Sequence, residues 1–269
     1  MPAQPVPLST AQAIALGALH GPAELLPISS SAHLALIPWL LGWDYGELDP
    51  ELRKAFEVVL HAGTAAALLI TLREEATGTR KSSRLRAVIA VSTIPVALVG
   101  YALERPIERR LGTPLTIAAA LATASVAMAW ADRMPEERMG SDARPDDALY
   151  LGLAQALALI PGVSRGGATR AAARRRRFTR PESSRLSRQI ALPVIAGAAL
   201  LKGIRLARRG LPSGARVPFA LGAAASFVST LGSERLVRRL EQDGSLAPYA
   251  LYRIGLAAMV LKRLSGQRP

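Results

Sequence analysis

The sequence predicts an all-α polytopic membrane protein, a chain that crosses a membrane several times. Half of its 269 residues are apolar, and its mean hydropathy is +0.22. The apolar residues also form repeated blocks rather than amphipathic stripes. Several blocks approach the roughly 20 residues that a membrane-spanning helix needs, and shorter blocks fit tilted or re-entrant segments. The alternative is a soluble helical protein that is rich in Ala and Leu.

The first element along the chain is an apolar segment broken by Pro27, and a similar segment broken by Pro161 lies in the second half. A proline inside a helix removes a backbone hydrogen bond and interrupts the helix. We therefore predict that each broken segment is re-entrant and leaves the membrane on the side where it entered. The other long blocks are predicted to span the membrane, and they cover residues 55–72, 87–103, 114–131, 189–201, 217–231 and 247–261.

The two halves of the chain resemble each other. Residues 18–29 resemble residues 154–164, and residues 57–66 resemble residues 189–198. Each half then has one re-entrant segment and about three spans, so the second half would be inverted relative to the first. Such inverted repeats bring their broken helices together near the membrane midplane. We expect one integral membrane domain over residues 1–269, with halves of approximately 1–140 and 141–269.

The charge balance is strongly basic, with 34 Lys and Arg residues against 20 Asp and Glu residues and a formal net charge of +14. The basic residues lie mostly between the apolar blocks, where they suit anionic lipid head groups better than nucleic acid. We therefore expect membrane lipids as partners and no nucleic acid. Cysteine is absent, which excludes disulfides and thiol chemistry.

The turn at residues 161–169 has the composition of an anion site. Glycines allow backbone N–H groups to approach an anion, and Ser and Thr hydroxyls add donors. Arg165 supplies a planar fork of donors that suits phosphate oxygens. The alternative is a helix cap whose Arg side chain extends to the membrane interface.

The turn at residues 24–33 places an acid, three hydroxyls and an imidazole inside an apolar region. Ionisable groups in such a place are costly, which indicates a function. Ser30 and His33 share a face if a helix starts here, so the imidazole could activate the hydroxyl. Glu24 could hold a divalent cation or orient that imidazole. The alternative is that Ser29–Ser31 cap a helix and that His33 lies at the membrane interface.

These two turns resemble the signatures of the bacterial undecaprenyl-diphosphate phosphatases, a family also called bacitracin-resistance proteins. Residues 24–33 match the first signature throughout. Residues 161–169 match the second except at Gly166, where the family has Ser. Weaker similarity extends over most of the chain.

The resemblance implies that the protein hydrolyses undecaprenyl diphosphate to undecaprenyl phosphate and phosphate. That reaction recycles the lipid carrier for peptidoglycan synthesis and gives bacitracin resistance. The resemblance also implies a divalent cation, Mg²⁺ or alternatively Ca²⁺, and a multi-pass location in the bacterial plasma membrane. It is compatible with a homodimer.

Motif position implies a role for each site residue. The catalytic residues would be Glu24, Ser30, His33 and Arg165, and the nucleophile stays open between Ser30, His33 and water. Glu24 would also be a metal ligand, with His20 as a second candidate. The expected substrate-binding residues are Ser29, Gly162, Ser164, Arg165, Gly167 and Thr169.

The sequence departs from the family pattern in four places, and two of these departures, His20 and Gly166, favour an alternative function. His20 stands where the family usually has Glu or Gln, and a neutral imidazole brings no negative charge to a metal. Gly166 lacks the family's hydroxyl. Arg170 and Arg174–Arg177 stand where the family continues with an apolar helix, and Arg185 and Arg188 stand where the family has an acid and an aromatic residue. This arginine cluster would recruit anionic substrate or lipid, or form a cytoplasmic loop. The alternative is a membrane protein that binds or translocates a polyprenyl phosphate without hydrolysing it.

Overall fold

The computed structural model describes residues 8–71, 73, 83–209, 213–242 and 244–266. Over these residues the regular structure is helical, with one isolated bridge between Arg138 and Phe178. The end of the predicted 55–72 block, Leu72, lies outside them. The α-helices of the described residues are α1 Thr10–Leu25, α2 Ser30–Leu41, α3 Pro50–Thr71, α4 Ser83–Leu111, α5 Pro114–Ala131, α6 Pro145–Leu157, α7 Arg165–Arg175, α8 Arg180–Arg209, α9 Arg216–Gln242 and α10 Ala247–Gly266.

The all-α membrane class is supported by the length and surface of the helices. Among the described residues, α3, α4 and α5 are long and apolar enough to cross a membrane. Their outward faces carry exposed apolar side chains, such as Leu98, Tyr101 and Val126. Continuous exposed apolar surface of this kind is typical of contact with lipid. The blocks predicted at residues 189–201, 217–231 and 247–261 lie within α8, α9 and α10.

Each broken segment packs against a helix of the other half. Helix α1 lies along α9, and Gly17 faces the main-chain oxygen of Gly222 so closely that a Cβ atom would collide with it. Helix α6 lies along α4, where Gln155 Nε2 donates a hydrogen bond of 3.0 Å to the Ser92 carbonyl. These contacts hold the turns that follow α1 and α6 inside the protein.

Local sequence signals fix the helix ends that matter for the site. Ser29 caps α2, and its hydroxyl accepts a hydrogen bond from the Ala32 amide at 3.4 Å. Ser164 caps α7 in the same way and accepts from the Gly167 amide at 3.1 Å. The predicted alternative of helix capping is therefore confirmed for one residue of each turn. Capping uses these hydroxyls as acceptors and fixes the residues that follow them.

The arginine-rich segment after the second turn pairs largely with the acidic linker between the two halves, which covers residues 132–147. Arg176 Nε donates to Asp147 at 2.6 Å, and Arg180 Nε donates to Asp132 at 2.9 Å. Arg174 is buried and donates to the main-chain oxygens of Phe178 and Asp132. These three arginines fasten the linker to α7 and α8, a role that the sequence analysis did not include.

Candidate active site

The first turn brings a serine hydroxyl onto a carboxylate. Ser30 is the first residue of α2, and its Oγ donates a hydrogen bond of 2.5 Å to Glu24 Oε2 near the end of α1. The preceding residue, Ser29, has a left-handed φ of 76°, which is uncommon for a residue other than Gly. Such strain costs on the order of 1–3 kcal/mol and is often found at functional sites.

The second turn contributes the arginine that completes the cluster. Arg165 begins α7, and its Nη2 donates to Glu24 Oε1 at 2.7 Å. Glu24 therefore accepts from Ser30 on one oxygen and from Arg165 on the other. The prediction that the two turns meet is confirmed by this contact between residues that lie 141 positions apart.

Arg253 of α10 joins the two turns through their main chains. Its Nη1 donates to the Pro27 carbonyl at 3.1 Å and its Nη2 donates to the Gly162 carbonyl at 3.0 Å, while the side chain is 1% exposed. Gly162 has a φ of 100°, which suits glycine. Arg253 was not among the site residues predicted from the sequence, although a lone arginine inside the 247–261 block is the signal that could have found it.

The predicted contact between Ser30 and His33 is not made. A carbonyl only accepts, so His33 Nδ1 donates to the Ser29 carbonyl at 2.8 Å. His33 Nε2 then accepts from the Tyr252 hydroxyl at 2.7 Å. The two rings are stacked, with centroids 5.6 Å apart. His33 is therefore oriented towards α10, because its backbone bond to Ser29 turns the ring away from the Ser30 hydroxyl.

The second turn is stabilised by contacts of Thr169 and Gly167, two of the predicted binding residues. Thr169 Oγ1 donates to the Arg165 carbonyl at 2.8 Å and lies 2.6 Å from Ser187 Oγ. Gly167 packs against Arg253, where a Cβ atom would lie 2.9 Å from Nη1. A Cβ atom at Gly166 would meet its nearest neighbour, Pro27 Cα, at 3.9 Å, so this position has room for a side chain.

A cavity of about 210 Å³ opens beside the cluster. Its charged and polar lining includes Glu24, Ser30, Arg165, Lys54, Glu57 and His61, and its apolar lining includes Val58, Val194 and Ala198. The cavity thus combines charged and apolar surface. A second cavity shares Glu24 and Arg165 and is lined by Arg170 and Arg188, so these two departures from the family lie next to the site.

Three possible metal ligands converge at the same carboxylate. His20 of α1 and His61 of α3 face Glu24, and one ligand atom from each of the three residues lies within 4.8 Å of the others. His20 Nε2 is buried and has no hydrogen-bond partner among the described residues. Mg²⁺ and Ca²⁺ prefer oxygen ligands. The residues therefore fit a divalent cation, but the two nitrogen donors do not match the Mg²⁺ or Ca²⁺ that the resemblance implies.

His61 is a site residue that the sequence analysis missed. It lies four residues after Glu57 in the segment 57–66, which resembles residues 189–198. A spacing of four residues indicates only that the two residues share one face of a helix. Its contact with His20, whose ring centroid lies 4.5 Å away, depends on how α3 packs against α1. A histidine inside an apolar block was the available signal.

Fold and site define an all-helical membrane protein with a buried carboxylate, hydroxyl and arginine cluster. The chain belongs to the family described as bacitracin resistance protein BacA, whose model matches residues 13–259. It is 43% identical over 268 residues to an undecaprenyl-diphosphatase from Geobacter sulfurreducens, with 94% of this chain and 97% of that protein covered. Undecaprenyl-diphosphatases from Geobacter metallireducens and Thermomicrobium roseum are 41% and 33% identical, and each alignment covers more than nine-tenths of both chains.

Proposed function

We propose that the protein is an undecaprenyl-diphosphatase that releases phosphate from undecaprenyl diphosphate and leaves undecaprenyl phosphate. This reaction recycles the lipid carrier for peptidoglycan synthesis and thereby gives bacitracin resistance. One observation carries the proposal: Ser30 and Arg165, from the two motifs that resemble the family signatures, both bind Glu24 at the wall of one cavity. Curated relatives with this activity cover almost the whole chain.

Arg165 binds the diphosphate in the proposed mechanism. Its ion pair with Glu24 holds the guanidinium at the cavity wall before the substrate arrives. The phosphate oxygens then take up the donors of Arg165 that Glu24 does not use, because a guanidinium carries five N–H donors in a fork. Lys54 lines the same cavity, and its ammonium group pairs with Glu108 at 2.5 Å. Binding by Arg165 neutralises the charge that develops as the phosphoanhydride bond breaks.

Ser30 is the proposed nucleophile, and Glu24 is its general base. The Ser30 hydroxyl already directs its proton to Glu24 Oε2. Attack forms a bond from Ser30 Oγ to the terminal phosphorus and breaks the bond to the bridging oxygen, which leaves with undecaprenyl phosphate. The proton passes to Glu24, and water then hydrolyses the phosphoserine to free phosphate. His33 positions the first turn through Ser29 and Tyr252.

The lipid tail lies along the apolar walls of the cavity, which include Val194 and Ala198 of α8. A polyprenyl chain needs such a surface because its transfer from lipid to water is unfavourable. We place the protein in the bacterial plasma membrane as a multi-pass protein. The homodimer stays a prediction.

The inverted repeat is also part of this proposal. Its support is an exchange of contacts between the halves: α1 of the first half packs on α9 of the second, and α6 of the second packs on α4 of the first. Helix α1 corresponds to α6 in the repeat, and helix α4 corresponds to α9, so the two contacts are equivalent. A two-fold axis in the membrane plane requires this equivalence. The two turns then approach from opposite sides of the membrane and share one site.

The decisive experiment measures phosphate release from undecaprenyl diphosphate by detergent-purified protein, and compares wild type with Ser30→Ala. We expect release that Ser30→Ala abolishes, together with a phosphoserine at Ser30 in acid-quenched wild-type samples. Ser31→Ala is the matched control, because Ser31 makes its hydrogen bond to Ser29 and none to Glu24. A folded wild-type preparation that releases no phosphate would refute the hydrolase. Full turnover by Ser30→Ala would refute the nucleophile.

A further inference from the structure

The neighbourhood of Glu24 contains two histidines whose proton positions can be deduced from their hydrogen bonds. His61 Nδ1 lies 2.8 Å from the main-chain oxygen of Glu57. A carbonyl oxygen can only accept, so Nδ1 carries the hydrogen and donates it. In the neutral imidazole Nε2 therefore has a lone pair, and this atom lies 3.9 Å from Glu24 Oε2.

The position of the proton on His20 can be deduced from the hydrogen bonds of three buried hydroxyl groups. Ser226 Oγ donates to the Leu60 carbonyl at 2.9 Å, and Thr230 Oγ1 donates to the Ser226 carbonyl at 2.7 Å. Thr64 Oγ1 lies 2.9 Å from Ser226 Oγ, and this contact is a hydrogen bond only when Thr64 donates, because Ser226 Oγ gives its single proton to the Leu60 carbonyl. With Thr64 as that donor, the 2.9 Å bond between Thr64 Oγ1 and His20 Nδ1 takes its proton from the neutral imidazole, whose Nδ1 also lies 3.3 Å from Ser226 Oγ.

His20 Nε2 is therefore an unprotonated nitrogen, and it has no partner among the described residues. An unsatisfied buried polar atom is costly, and such an atom in a folded protein requires an explanation. His20 is 1% exposed, so bulk water does not supply the missing bond. A cation held by His20, His61 and the Glu24 carboxylate would satisfy it.

We propose that His20, His61 and Glu24 form a binding site for a first-row transition metal or Zn²⁺ rather than for Mg²⁺ or Ca²⁺. Two imidazoles with one carboxylate make a donor set that zinc and the first-row transition metals prefer. Both histidines also donate their Nδ1 hydrogen to an oxygen, as metal-binding histidines almost always do. The inference rests on the proposed function, because it gives the base of that reaction a metal neighbour.

The arrangement leaves room for the contacts that Glu24 already makes. Arg165 binds Oε1, whereas His61 Nε2 lies 3.9 Å from Oε2. A carboxylate oxygen has more than one lone-pair direction, so Oε2 can accept from Ser30 and also face a cation. The positive charges of the cation and Arg165 are offset when the diphosphate enters the cavity. Metal affinity should therefore rise when a diphosphate is present.

The experiment is Co²⁺ titration of the full chain in detergent, followed by visible absorption and by metal content after gel filtration. The chain suits this probe because it has three histidines and no cysteine, so thiolate bands cannot interfere. A purification tag without histidine is required. We expect one Co²⁺ per chain, with a ligand-field band that is lost in both His20→Gln and His61→Gln.

His33→Gln is the matched control, because His33 is the third histidine and its Nε2 is bound to Tyr252. It should retain the band. Thr64→Val removes the acceptor that orients His20 and should weaken Co²⁺ binding by about 10–100-fold. If His20→Gln fails to fold, His61→Gln decides, because that side chain is 39% exposed. Unchanged binding in the folded histidine variants, or displacement by an equal concentration of Mg²⁺, would overturn the proposal.

Phosphate release measured on the same samples separates the two proposals. Stoichiometric Co²⁺ binding that depends on both histidines, without phosphate release, would refute the hydrolase and leave the metal site standing. Release that Mg²⁺ supports equally in wild type, His20→Gln and His61→Gln would refute the metal site and leave the hydrolase standing. Adding inorganic pyrophosphate should shift the Co²⁺ titration to lower concentration in wild type and not in His61→Gln.

Discussion

The guanidinium of Arg165 lies 2.7 Å from the carboxylate of Glu24, and this ion pair joins the two broken segments at the cavity wall. Both side chains are largely enclosed, at 19% and 10% exposure. A pair in such surroundings is costly to separate when nothing replaces either partner. A diphosphate would bind the N–H donors of Arg165 that Glu24 leaves free, so the pair keeps the arginine ready at the place where the substrate binds.

Arg165→Ala should reduce kcat by about 10²–10³-fold, the usual effect of losing one donor to a developing oxyanion. Phosphate release and a thermal melt of the detergent-solubilised protein measure activity and folding separately. Arg177→Ala is the matched control, because Arg177 lies on the surface and pairs with Glu137. The control should change neither quantity. Near-normal turnover by Arg165→Ala would remove the arginine from the substrate-binding role.

Arg253→Met should lower stability and activity together. The substitution leaves the Pro27 and Gly162 carbonyls without their buried donor, and each such loss costs roughly 1–3 kcal/mol. Both turns would then lose their common anchor. Thermal melting in detergent, alongside phosphate release, provides the test. A variant that melts like wild type yet has no activity would instead place Arg253 in contact with the substrate.

The contact between the two turns could be predicted from the sequence. Each turn lies at the break of a repeated apolar segment, and inverted repeats bring such breaks together in a membrane protein. Glu24, Ser30 and Arg165 followed from residue type and spacing. His61 and Tyr252 did not, because their roles depend on which face of α3 meets α1 and which face of α10 meets α2. His33 was expected at Ser30 from helical spacing. Its hydrogen bond to the Ser29 carbonyl at 2.8 Å turns the ring elsewhere.

The linker should make stability depend on pH through Asp132. Burial raises the pKa of this carboxyl, but hydrogen bonds from Arg180, Ser245 and the Leu246 amide outweigh burial, and the net pKa falls below its ordinary value of 3.8. Because the folded pKa is the lower one, the stabilisation is complete above pH 3.8 and is lost as the pH falls through the folded pKa.

A pH series of melting temperatures tests this linkage. Wild type should lose melting temperature below about pH 4, whereas Asp132→Asn should start lower and depend less on pH in that range. Glu137→Gln is the control, because its bond to Arg177 is exposed and contributes little. Parallel curves for wild type and Asp132→Asn would show that the linker contacts do not contribute in this way.

Adjacent glycines in the second turn should respond in opposite ways to the same substitution. Gly166→Ser places its Cβ 3.9 Å from the nearest atom, Pro27 Cα, at a position that lines the cavity. The variant should fold normally, and its new hydroxyl should raise turnover by adding a donor to the anion site. Gly167→Ser places its Cβ 2.9 Å from Arg253 Nη1 and 3.1 Å from Met128 Sδ.

Gly167→Ser should therefore destabilise the protein by about 1–3 kcal/mol, the usual cost of overpacking a filled site. It would also displace the arginine that holds both turns, so activity should fall with stability. Thermal melts and phosphate release on the two single variants provide the comparison. If both variants melted alike, Gly167 would not be packed tightly against Arg253 and Met128. If Gly166→Ser folded normally without a gain in turnover, a hydroxyl at this position would contribute nothing to catalysis in this chain, and the glycine would be neutral.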